Sequence, residues 1–298
     1  DADPTPTALR DLSISYTPLA GLTNCPADMP GCSAGAIDNT ARTIALVIER
    51  VVLSGDISGG TTECADIETV GGSVSIVVRD SICHGERGLR LRHDPAVSGS
   101  YSASYIIERN RFEPGGPTQN WTYNGLELLM LSSGGTLPSG SKARAEVRNN
   151  EFVRTHYEGV YVASGLSLQS ADQAGSQVII ANNTFAADDG KNAIWDNSKS
   201  GSFPVVISDN NLFVGSAVPH LGRSPSYEGN NGTGTSASFV NLAGDDLHLA
   251  PGASAIDAAD PVWAPTVDRD QRMRPIDGKG SGKAIPDIGA FEYSPSGR

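Results

Sequence analysis

Basic residues are scarce in this chain. Lys and Arg total 22 against 34 Asp and Glu, a formal net charge of −12. That balance argues against a nucleic acid partner, whose phosphates require a positive footprint. It also counts against an anionic polysaccharide, although a local basic cleft can sit on an acidic protein. No apolar run approaches the roughly 18–20 residues of a membrane span, so none is expected. No charged-then-apolar leader opens the chain, and DADPTPT reads as a mature or trimmed start. Cysteine is limited to Cys25, Cys32, Cys64 and Cys83, all in the first third. None has C-x-x-C, haem-attachment or zinc spacing. Phosphate loops and a Ser/His/Asp order are also missing, and no cofactor is implied. The even cysteine count in a loop-rich chain predicts two disulfides, Cys25–Cys32 and Cys64–Cys83, and an oxidising compartment. The alternative is four buried free thiols.

Helical periodicity is missing almost everywhere, which excludes βαβ crossovers. What is present is a repeat. When the Asn of RNNEF is aligned with its relatives, the column reads Leu12, Val51, Ser81, Asn110, Asn150, Asn183 and Asn211, with gaps of 39, 30, 29, 40, 33 and 28 residues. Two positions later it reads Ile14, Leu53, Cys83, Phe112, Phe152, Phe185 and Phe213. Alternating runs such as TIALVI, SVSIVV and ASYII precede the column and read as half-buried strands. A second column, Ala36, Asp66, Gly88, Gly125, Gly159 and Ala193, opens a further short strand in each period. Registered columns without helices predict an all-β, single-stranded parallel β-helix in which each strand pairs with its counterpart one period later. Inward apolar residues would stack, and an inward Asn at the bend would satisfy turn backbone groups that water cannot reach. A β-sandwich would not keep two registered columns over so many periods.

The stretch GCSAGAIDNTARTIALVIERVVLSG resembles the rungs of secreted bacterial right-handed parallel β-helix proteins. DLHLAPGASAIDAAD, DRDQRMRPIDG and DIGAFEY resemble the ending of the choice-of-anchor Q family. The resemblance implies an extracellular or cell-surface bacterial protein of about seven right-handed rungs, residues 1–241, with a capping segment, residues 242–298, packed on the last rung in the same domain. It implies no one reaction, because the fold hosts lyases, hydrolases, adhesins and tailspikes. Such proteins usually begin with a cap, yet ALRDLSIS already reads as a rung. Either residues 1–7 or the Cys25–Cys32 loop covers that end, or the open edge recruits a partner. In the terminal segment Asp268, Asp270, Arg272, Arg274 and Asp277 could bind calcium, but Asp–Arg pairs holding the cap are the favoured reading.

Outward residues in a β-helix form ladders along the axis. The second-strand ladder reads Asp38, Glu68, Arg90, Glu127, Tyr161 and Trp195, and aromatic rings beside charges suit sugar binding. The loops after the Phe column gather His84, Glu86, Arg87, Trp121, Tyr123, Arg154, His156, Tyr157, Glu158, Asp188, Asp189 and Lys191. Substrate binding is therefore assigned to Arg90, Glu127, Tyr161, Trp195, His84 and Arg87. Catalysis is assigned to His156, Arg154, Tyr157, Lys191, Glu158 and Asp188. In a lyase, Arg154 or Arg87 would neutralise a uronate and Lys191, His156 or Tyr157 would move the proton. In a hydrolase, two carboxylates would act as acid and base. Both are weighed against an ordinary solvated face. The leading expectation is an extracellular carbohydrate-interacting protein, as a lyase, a hydrolase or a binder, with a polysaccharide or cell-surface glycan as partner. The alternative is a non-catalytic surface, adhesion or assembly module that packs end to end through its first rung.

Overall fold

The computed structural model describes residues 7–16, 38–41, 44–55, 63–70, 73–85, 87–94, 102–113, 122–130, 139–164, 175–187, 192–199, 202–215 and 218–295. The fold is all-β, and its parallel strands curl into a solenoid. Three stacks of strands run along it. The first contains Ile44–Gly55, Ser73–Arg79, Ser102–Glu108, Lys142–Arg148, Gln177–Ala181 and Val205–Asp209. The second contains Ile82–His84, Arg111–Glu113, the start of Glu151–Ser164, Thr184–Ala187 and Leu212–Val214. The third contains Glu63–Val70, Arg87–Asp94, Thr122–Met130, the end of Glu151–Ser164, Asn192–Asp196 and Val218–Gly222.

The column predicted from sequence is the inner register of the second stack. Ile14, Leu53, Cys83, Phe112, Phe152, Phe185 and Phe213 are direct neighbours in that order. Phe112, Phe152 and Phe185 stack nearly parallel, with centroids 4.9 and 4.7 Å apart. Offset ring stacking at one ring per strand suits the interstrand spacing, and each buried ring contributes roughly 1.5–3 kcal/mol. Small residues face these rings. A Cβ on Gly125 would lie 2.4 Å from the Phe152 ring, and one on Gly159 would lie 2.3 Å from Phe185.

The bends have one chemistry. Arg50, Asp80, Arg109, Asn149, Asn182, Asn210 and Asn230 all adopt a left-handed φ, between 27° and 55°. Asn and Asp tolerate that region best among residues with a side chain. The next residue is the ladder residue. The backbone N–H groups of Ser81, Asn110, Asn150, Asn183 and Asn211 each donate to the side-chain oxygen of the ladder Asn one coil further on. The amide nitrogens of Asn110, Asn150, Asn183 and Asn211 donate back to the carbonyls of Val78, Ile107, Val147 and Ile180. Buried backbone at the bend is thereby satisfied without water.

One predicted column is corrected. The level of Gly88, Gly125, Gly159 and Ala193 is continued by Cys64, because Ala65 pairs with Leu89 and Asp66 with Arg90. Asp66 therefore lies two positions beyond the place that the spacing assigned to it. The Cys64–Cys83 disulfide is present. The Cys25–Cys32 pairing lies outside the described residues, as does the proposed cover of residues 1–7 except for Thr7, which opens the first strand.

The segment from Phe239 to Tyr293 lies against the row of bends. Gln271 reaches Asp80, Asn149 donates to the Val267 carbonyl, Asn182 donates to the Asp287 carbonyl, and Asn210 exchanges hydrogen bonds with Asp260. Phe239, Leu247, Ile256 and Phe291 pack on Val153, Ala186, Leu212 and Val214, while Trp263 packs on Ile179 and Ile207. This explains a shift in pattern. Ser102–Glu108 alternates buried and half-exposed residues, whereas Gln177–Ala181 and Leu212–Val214 are buried on both faces.

Asp287 is sealed beneath this segment, with its carboxylate receiving the backbone N–H of Asp257 and of Tyr293. Burial, reinforced by neighbouring Glu292, pushes its pKa from 3.8 up to about 7. The native state then holds a proton that the unfolded chain releases first. This stabilisation is complete below pH 3.8 and is lost as pH rises towards 7, on the order of 2–4 kcal/mol. Thermal melts across this window should show that contribution, and Asp287→Asn should flatten it. An unchanged slope in the variant would remove Asp287 as its source.

Candidate functional site

The third stack presents one outer register without interruption. Asp66 neighbours Arg90, Arg90 neighbours Glu127, Glu127 neighbours Tyr161, Tyr161 neighbours Trp195, and Trp195 neighbours Leu221. Strand alternation puts Leu89, Leu91, Leu126, Leu128, Val160 and Val162 inside and points this ladder away from them, with Arg90, Tyr161, Trp195 and Leu221 reaching solvent while Asp66 and Glu127 are buried. Arg90, Glu127, Tyr161 and Trp195 are brought together as the sequence implies. Glu68 is not part of the ladder. It pairs in register with Arg92, and Asp66 takes its place. The cause is the register already described. The sequence reading also missed Leu221 and Asn197, both of which follow directly from Trp195.

The ladder divides into two chemistries. At one end the Arg90 guanidinium lies 3.5 Å from Glu127 and 4.0 Å from Asp66. Asn124 also donates to Glu127, at 2.7 Å. At the other end the Tyr161 and Trp195 rings meet edge to face, with centroids 5.0 Å apart. Asn197 donates to the Tyr161 hydroxyl at 2.9 Å. Leu221 extends this end and is exposed. The result is a stripe about 24 Å long at about 4.8 Å per strand.

Of the remaining predicted residues, the described side chains of Arg154, Glu158, His84 and Arg87 each have a separate setting. Arg154 occupies a bulge, between Val153 and Thr155, with φ of 48°. Its guanidinium is paired with Asp245 of the C-terminal segment at 2.8 Å. Glu158 is buried in the third stack, in register with Asn124 and Asn192. His156 and Tyr157 lie on the strand Glu151–Ser164, but their side chains, like all of Asp188 and Lys191, are outside the described residues. His84 is tied to Glu113 at 3.0 Å. Burial opposes ionisation of Glu113, yet hydrogen bonds from His84 and Arg111 hold its pKa down at about 2. Arg87 stands in register with Glu63 at the start of the third stack.

Two other polar clusters were not foreseen. Beside the C-terminal segment, a groove of about 230 Å³ is lined by Arg111, Glu151, Asp245, His248, Arg269 and Asp270. Its charges are matched: Glu151 receives Arg111 at 2.7 Å and Arg269 at 3.2 Å, and His248 bridges Asp246 and Asp270. Burial nevertheless raises the Glu151 pKa against both arginines. This network fastens the segment to the coil. Further along, Ser208, His220 and Glu228 stand in the order of a nucleophile, base and acid, at 2.9 and 3.1 Å. Ser208 is completely buried, however, and its hydroxyl also receives Asn211 and Asn231. No substrate can approach it. The cluster ends an inner column that is otherwise Ile48, Val78, Ile107, Val147 and Ile180.

The calcium candidates serve the backbone of the C-terminal segment. Asp268 accepts the N–H groups of Asp270, Arg272 and Glu292, and Asp277 accepts those of Ser281 and Gly282. Arg274 pairs with Glu292, not with an aspartate. Among the described residues no group of three or more His, Cys, Asp or Glu is placed to hold a metal ion. None of their helices is long and apolar enough to cross a membrane. No model of a known protein family matches the chain, and no curated protein matches it.

Proposed function

We propose that this protein is a secreted or cell-surface bacterial right-handed parallel β-helix of about seven rungs, of the choice-of-anchor Q type, that binds a polysaccharide or cell-surface glycan. The glycan lies along the outer ladder of the third stack, parallel to the solenoid axis. The observation that carries this reading is the pairing of Tyr161 with Trp195, continued by exposed Leu221 and accompanied by Asn197. Aromatic faces pack on the apolar faces of sugars, while amide and carboxylate groups take hydroxyls. Binding without cleavage is the better supported form. Glu127 is spent on Arg90 and Asn124, and Arg154 on Asp245, so among the described residues of this ladder no acid–base pair faces a common point.

Trp195→Ala is expected to lower affinity for a bound glycan at least tenfold, because aromatic anchors dominate binding energy. Glycan-array screening followed by calorimetry on both proteins measures this. Equal affinities would place the binding surface elsewhere. A second reading is self-association through the first strand. Thr7–Tyr16 pairs with Ile44–Gly55 on one side, and among the described residues no strand pairs with its other edge. Unpaired edges recruit strands. Light scattering over a concentration series should then show growth, and a strictly monomeric particle eliminates this reading.

A further inference from the structure

The ladder's only basic residue is already neutralised. Arg90 is flanked in register by Asp66 on one strand and Glu127 on the next, both within 4.0 Å of its guanidinium. The charged half of the stripe thus holds two carboxylates, Asp66 and Glu127, and one guanidinium. The aromatic half, Tyr161, Trp195 and Leu221, carries no charge. A polymer bearing one carboxylate per sugar would meet like charge at the acidic residues and find no uncompensated cation. Such juxtaposition opposes association, most strongly at low salt. An uncharged polymer meets no such barrier, and its hydroxyls can hydrogen-bond to exposed Asn197.

Resting on the glycan-binding reading above, we infer that the ligand is a neutral polysaccharide and that polyuronates are rejected. Rejection comes from the Asp66–Arg90–Glu127 arrangement, and affinity comes from the aromatic end. The inference also disfavours β-elimination at this face, since that chemistry begins with a cation placed on a uronate carboxylate.

The test compares soluble neutral probes, a β-glucan and a galactomannan, with polygalacturonate and alginate, by affinity electrophoresis and calorimetry at two salt concentrations. The wild-type protein should bind a neutral probe with little salt dependence and polyuronates at least tenfold more weakly. The Asp66→Asn, Glu127→Gln double variant should gain at least tenfold in polyuronate affinity, and added salt should abolish the gain. Preference of the wild-type protein for a polyuronate, lost on Arg90→Ala, overturns the inference while leaving glycan binding intact. Failure to bind any probe, neutral or charged, overturns the glycan reading and the inference with it. The wild-type comparison decides the matter even if the double variant does not fold.

Discussion

Asn150→Ala should cost about 3–5 kcal/mol of unfolding free energy, among the largest effects of any single side chain here. Its side-chain oxygen accepts both the backbone and the amide N–H of Asn110, at 2.9 and 3.1 Å. Its amide nitrogen donates to the Ile107 carbonyl and to Asn183, at 2.8 and 3.0 Å. All these groups are buried. Alanine strands the Asn110 N–H and the Ile107 carbonyl in a space water does not reach, and adds a cavity. Asn150→Asp should be as damaging near neutral pH. It keeps the acceptor but places a carboxylate against two oxygens, and acid should partly rescue it by protonation. Asn150→Ser should be milder, since Ser81 fills the same role two positions along the ladder, accepting from the Val51 N–H and donating to the Arg79 carbonyl. Urea unfolding ranks the three variants, and hydrogen exchange at the Asn110 amide localises the damage. A loss below about 1 kcal/mol for alanine would mean that the ladder is decorative.

The ladder and ring columns were legible in the sequence because a solenoid repeats its constraints. Each inner position has the same neighbours one coil later, so the same residue type recurs at a loop-dependent interval. Phe112, Phe152, Phe185 and Phe213 needed only a consistent register, and loop length does not disturb it. The strand Glu63–Val70 was misread because it lacks the glycine that marks its counterparts at Gly88, Gly125 and Gly159. The disulfide held the missing information. A Cβ on Gly125 would touch Phe152, and one on Gly159 would touch Phe185, so at both places this level meets the inner column of the following coil. Cys64 meeting Cys83 is the same contact made covalent. Applied to register, that pairing puts Cys64 at the glycine level and Asp66 on the outer ladder.

The candidate site was legible to the same extent and for the same reason. Arg90, Glu127, Tyr161 and Trp195 follow from local register alone. The loop cluster does not, because an outward side chain after the Phe column can turn towards whatever covers it. Arg154 turns to Asp245, and Arg111 reaches the Asp245 carbonyl 134 residues away. No periodicity encodes such partners. They depend on how a non-repeating segment docks on the bends.

The strongest test of that docking is the pair Arg274 and Glu292, whose side chains are wholly excluded from solvent and 3.0 Å apart. Glu292 also receives the N–H groups of Ile276 and Asp287, and Arg274 donates to the Gly289 carbonyl. Removing one partner of a buried pair leaves an uncompensated charge and typically costs about 3–5 kcal/mol. The two single variants should nevertheless differ. Glu292→Leu strands a guanidinium that cannot discharge by losing a proton, and it orphans two backbone donors. Arg274→Met strands a carboxyl whose pKa burial already raises, so it can escape by taking a proton. Arg274→Met should therefore be the milder change, and milder at pH 5 than at pH 8. The double variant should recover only part of the loss, because Ile276 and Asp287 still lack acceptors. Trp263 reports the event, since it packs on Ile179 and Ile207 only while the segment is docked. Its fluorescence, followed through denaturant titrations in a background with Trp121 and Trp195 replaced by Phe, gives each midpoint. Equal losses for the two single variants at both pH values would mean that packing, not the buried charge, holds the segment to the coil.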